Sequence, residues 1–174
     1  MNSQFFKAIA LITRLVEGGF ETPSDARESW FSLLSFGFFI MLFAIFFVIV
    51  PDYYSEVVTF FEDFELQEIT SNVQLPAPIG DHPVVYETVM RFCIVFGVFQ
   101  FFAVALRFYF GSSVKKAAET VSNILFWLGT AYVFSLLLSK SIGWFSLVGG
   151  IIVAGGLSII VRSLIVLLYQ IYRH

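Results

Sequence analysis

The chain has 174 residues, of which 58% are hydrophobic and only 13% charged, with a formal net charge of −3. Soluble domains run near 45–50% apolar and about a quarter charged, and a fold this small has too much surface to hide such an excess. A water-soluble domain is excluded; the composition fits an all-α integral membrane protein, a four-helix bundle whose apolar surface is covered by lipid.

Residues 1–28 read as a cytoplasmic interfacial segment. Ser3, Lys7, Ala10, Arg14 and Glu17 fall on one helical stripe, with Phe5, Ile9, Ile12 and Val16 opposite, the pattern of a helix lying flat on a leaflet. The first transmembrane helix is expected over 29–50. Phe31 to Val50 is twenty residues without a charge, about 30 Å of helix and the thickness of a hydrocarbon core. Thr22, Pro23, Ser24 and Asp25 supply a cap residue, a first-turn proline and an early acid. Trp30 suits the interface, and Pro51 marks an end or a kink.

Residues 51–83 read as an extracytoplasmic loop; from Asp52 to Glu87 the chain has eight acids and no Lys or Arg. Its first part alternates at helical period. Asp52, Ser55, Glu56, Thr59, Glu62 and Asp63 oppose Tyr54, Val57, Val58, Phe61 and Phe64, a short amphipathic helix. From Glu65 to His82, with Pro76, Pro78 and Gly80, the expectation is an extended, irregular chain.

The second transmembrane helix is expected over 84–110. Phe92 to Leu106 is too short to cross unaided, but Tyr86 and Tyr109, twenty-three residues or about 34 Å apart, fit two interfaces. The third helix is expected over 114–139 and the fourth over 142–173, with Lys140 in a tight link between them. Short links make helices two, three and four consecutive antiparallel neighbours. Lys7, Arg14, Arg27, Arg107, Lys115, Lys116, Arg162 and Arg173 fall on one side, and only Arg91 and Lys140 on the other. That bias places both termini in the cytoplasm of a multi-pass cell-membrane protein.

Polar side chains inside a membrane are costly, and each needs a reason. Tyr86, Cys93, Gln100 and Arg107 follow at seven-residue steps and share a face, with Gln100 near mid-depth. They read either as a thin polar path or as packing in which Gln100 bonds a neighbouring helix. Arg91 points away from them and fits an ion pair with Glu87. Arg107, Glu119, Asn123 and Arg162 are expected at similar depth, as an ion-pair cluster or an anionic-headgroup site. On the fourth helix Ser146, Gly150, Ala154 and Ser158 recur at four-residue steps, a small-residue ridge for close helix packing within or between chains.

The residues supply no catalytic set, no cofactor site and no metal site. HExxH, GxSxG and phosphate-loop patterns are absent, and the outer acids lack the spacing of a calcium loop. Single Cys93 leaves no disulfide or redox pair. Two functions from different classes remain. The first is a non-catalytic membrane component, a self-associating or accessory subunit; its partners are membrane lipid and a second copy or another membrane subunit, with no nucleic acid. The alternative is a channel or transport subunit whose acidic outer loop concentrates cations.

Overall fold

The computed structural model describes residues 23–70 and 72–173. The chain divides into two compact units, Met1–Phe38 and Phe39–His174. The predicted interfacial helix from Ser3 to Glu17 lies outside the described residues.

The elements in chain order are α1 (Pro23–Ile49), α2 (Tyr53–Glu62), β1 (Phe64–Thr70), β2 (Val73–Pro78), α3 (Pro83–Tyr109), α4 (Val114–Leu138) and α5 (Trp144–Arg173). Four of the helices, α1, α3, α4 and α5, are long and apolar enough to cross a membrane. A helix satisfies its backbone groups internally, so uninterrupted apolar stretches of this length can exist in lipid without unpaired amides.

Within the second unit α4 is the central helix, packed against α3 on one side and α5 on the other. From α1 the second unit includes Phe39 onward. The Phe39 ring meets Phe92 and Phe96 edge-on, at centroid distances of 5.2 and 5.4 Å. Offset and edge-on ring pairs of this kind add about 0.5–1.5 kcal/mol each beyond area burial.

Both links between the long helices close in the same way. At the end of α3 the Gly111 and Ser112 amides donate to the carbonyls of Phe108 and Arg107; at the end of α4 the Lys140 and Ser141 amides donate to Leu137 and Leu136. Each link needs one residue in the left-handed region, which is Gly111 (φ 66°) in the first and Lys140 (φ 55°) in the second.

The expectation of an all-α fold with an irregular 65–82 segment is corrected here. β1 and β2 form an antiparallel hairpin in register from Phe64↔Pro78 to Thr70↔Val73, with an irregularity between Glu68 and Thr70. Pro76 and Pro78 lack amide donors but sit in a two-stranded sheet, where one edge of each strand is unpaired anyway. The hairpin and α2 cap one end of the helices. Phe60 touches Phe64, His82, Tyr86 and Trp144 edge-on at 5.0–5.9 Å between centroids. These rings continue into a core of Tyr86, Phe134 and Leu147, with Val133, Leu137 and Ile151 packed around it.

Candidate functional site

The seven-residue stripe on α3 is the face it buries. Tyr86, Cys93, Gln100 and Arg107 are each less than a tenth exposed, as are Phe96 and Ala103 between them. Gly97 lies on the same face, and a methyl group there would come within 2.8 Å of the Leu128 side chain of α4. Gln100 therefore sits in a packed seam. Arg91, on the opposite face, is exposed and pairs with Glu87 one turn earlier, in the favourable i,i+4 order.

At the other end of the helices, Glu119 lies 3.8 Å from both Lys116 and Arg162. All three side chains are about half exposed, so the contacts are long and loosely held. Asn123, one turn along α4, is also exposed. The side chains that the structure gathers on Glu119 are thus Lys116 and Arg162, whereas Arg107 belongs to the buried α3 stripe. Lys116 was absent from the expected cluster, although its i,i+3 spacing from Glu119 was a usable signal.

The ridge on α5 meets α4 of the same chain. A side chain at Gly150 would reach within 2.6 Å of Val133 Cγ1, and Ala154 faces Gly129, where an added Cβ would stand 3.1 Å away. Ser158 is buried, and its carbonyl accepts a 2.7 Å hydrogen bond from Ser122 Oγ. Ser146 departs from the pattern. It is exposed, and Leu147 next to it is the buried residue of that turn. Helical periodicity of 3.6 residues, against a four-residue step, carries the first ridge position off the contact face.

In sequence His82 stands out only as a lone histidine beside Asp81 next to a helix start; the structure joins it to Asp63. Asp63 Oδ2 accepts a 2.6 Å bond from the Gly80 amide and a 2.9 Å bond from His82 Nε2. The Asp63 carbonyl takes a third, from the Ile79 amide at 3.2 Å. One residue thus closes the base of the hairpin across seventeen to nineteen positions. The Gly80 amide, and then His82, hold the Asp63 carboxyl below its usual range. A carboxylate only accepts, so His82 carries its proton on Nε2 and its other nitrogen, Nδ1, is an acceptor in the neutral ring. Next to it Asp81 pairs with Lys140 of the α4–α5 link at 2.7 Å. That bond lowers the Asp81 pKa and raises that of Lys140.

Beneath this pair lies a cleft of about 470 Å³, bounded by Gly80, Asp81, His82, Tyr86, Lys140 and Trp144. Leu137, Leu138 and Ile142 contribute apolar walls. Comparison with protein-family models, curated proteins and solved structures finds no match to this chain. Among the described residues no three His, Cys, Asp or Glu side chains gather as a metal site. A second, mainly apolar crevice of about 240 Å³ runs beside α1, among Phe39, Phe43, Phe46, Phe92, Cys93 and Trp127, with Tyr53 and Thr88 also on its wall. The cap cleft differs from it in offering a cation, a carboxylate and a buried imidazole around an apolar floor. That set suits recognition of a polar group attached to an apolar body.

Proposed function

We propose that this chain is a non-catalytic multi-pass membrane protein, a bundle with both termini cytoplasmic, acting as a self-associating or accessory subunit of a membrane assembly. The observation that carries the reading is the burial of Gln100, only 4% exposed within the second unit. A mid-depth amide that lined a conduction path would face open space. Here it lies in the seam between two helices, where polar side chains serve as glue. This favours a subunit over a channel.

The hairpin supports the same reading. It lies outside the long helices, yet Leu66 is 66% and Ile69 48% exposed. Exposed apolar groups on a two-stranded sheet with open edges are suited to a partner. The ridge on α5, engaged with α4 inside the chain, leaves the hairpin as the stronger association surface. Light scattering in mild detergent is expected to give a mass above one chain, or co-purification of a second membrane protein. Leu66→Asn should reduce that mass without changing the melting temperature. A monomer with no partner, from native membranes as well as recombinant ones, refutes the subunit reading. The eight-to-two charge bias supports the orientation. In a Cys93→Ala background, a cysteine at Asn72 should react with an impermeant reagent from outside and one at Ser113 should not; the reverse pattern overturns it.

A further inference from the structure

Lys140 stands where the backbone would favour glycine. The α3–α4 and α4–α5 links share one hydrogen-bonding pattern, and the first fills its left-handed position with Gly111 while the second uses Lys140 at φ 55°. For a residue with a Cβ this conformation is unfavourable. An observed outlier of this kind is a reason to look for a role in its side chain. The role is not fold stability through the ion pair, because Lys140 and Asp81 are each 77% exposed and exposed pairs contribute little.

What the pair does is place one cation and one carboxylate at the mouth of the cap cleft. His82, 6% exposed, lines the wall. With Nε2–H committed to Asp63, the neutral ring keeps Nδ1 as an acceptor. Trp144 and Tyr86 add aromatic surface, and Leu137, Leu138 and Ile142 carry the floor onto the ends of α4 and α5. The volume falls within the ordinary range for ligand clefts, about 300–1,000 Å³.

We infer that this cleft binds a phosphoethanolamine zwitterion, the headgroup of an amino-phospholipid, with its phosphate on Lys140 and its ammonium on Asp81 and His82 Nδ1. The ammonium of Lys140, 2.7 Å from Asp81, already shows the contact that a ligand amine would make there. Two acceptors beside one cation select a group with N–H donors next to an anion. The choline headgroup lacks those donors, and the glycerol headgroup lacks the cation. The level of the cleft, at the ends of two candidate spans and beside a tryptophan, is that of lipid headgroups. The inference rests on the membrane reading and is independent of the subunit one.

The test uses the full chain in nanodiscs containing phosphatidylethanolamine, phosphatidylcholine or phosphatidylglycerol, with retained lipid counted by native mass spectrometry. Charge-assisted hydrogen bonds predict at least a tenfold preference for phosphatidylethanolamine over each of the others. Asp81→Asn should abolish that preference. Lys140→Gly should also weaken retention, by about tenfold, while leaving melting unchanged or raised because it relieves the left-handed strain. That combination separates a binding role from a structural one. Soluble glycerophosphoethanolamine, read by Trp144 fluorescence against a Trp144→Phe control, is expected to bind more weakly than the lipid. Equal retention of ethanolamine and choline lipids refutes recognition of the amine. Preference for phosphatidylglycerol reduces the cleft to a plain cation and overturns the proposal. Soluble ligand binding as tightly as lipid overturns the lipid source.

Discussion

Gly150 offers the sharpest test of how α4 and α5 are held together. A methyl group at this position would lie 2.6 Å from Val133 Cγ1 and 3.0 Å from Cγ2. Valine is stiff at χ1, so its methyl groups cannot swing aside, and relief has to come from separation of the helices. Overpacking of this type costs about 1–3 kcal/mol. Against it stands the better helix propensity of alanine, about 1 kcal/mol in water. Gly150→Ala should therefore lose up to about 2 kcal/mol, and Gly150→Leu more. Gly149 and Gly156, on the same helix, meet nothing within 4 Å of an added Cβ and serve as controls. Gly149→Ala and Gly156→Ala should melt at or slightly above wild type. Thermal unfolding in mild detergent, with light scattering alongside, reads all four variants. The decisive variant is the double substitution: Val133→Ala should recover most of the loss caused by Gly150→Ala, since it removes both atoms in conflict. If Gly150→Leu melts like wild type, or the double variant is no better than the single one, the α4–α5 contact is not formed as described. A fall in mass at unchanged melting would place the partner of Gly150 in another chain.

Three further outcomes follow from named contacts. Ser122→Ala should cost about 0.5–1.5 kcal/mol, because the Ser158 carbonyl loses a buried donor, whereas Ser158→Ala removes only a bond from its own hydroxyl to Gly155 and should cost less. Asp63 has a depressed pKa, so its support of the hairpin base is fully present above the ordinary aspartate value of about 4. It should be lost as the pH falls through that lowered value, seen as faster amide exchange at Gly80; Asp63→Asn should remove that acid transition. Glu119→Gln should shift melting little, within about 1 kcal/mol, since its partners stand 3.8 Å away and half exposed; a large loss would mean a tighter cluster.

The four long helices were legible because their signal is local. A long apolar stretch is a property of consecutive positions, as are the first-turn proline at Pro23 and the spacing of Glu87 to Arg91. The shared face of Tyr86, Cys93, Gln100 and Arg107 was equally local, since helical geometry alone sets it. So was the line of small residues at Gly150, Ala154 and Ser158.

What each face meets was decided elsewhere. Four-residue spacing could not say that Gly150 lies under Val133, or that Leu147 replaces Ser146 at the contact, because crossing geometry depends on both helices. The hairpin at 64–78 was hidden by Pro76 and Pro78, which read as breakers when the strand is considered by itself. It forms because Asp63 meets Gly80 and His82, and because Phe60, Phe64 and Trp144 bury one another, contacts between residues far apart in sequence. Nor did anything local distinguish His82 as a buried, carboxylate-bonded ring, or Lys140 as the strained residue at a cleft. Helix formation is written in near neighbours, through hydrogen bonds four residues apart. Pairing across a turn of seventeen residues or more appears only when the chain has closed, since its partners have no fixed spacing to announce them.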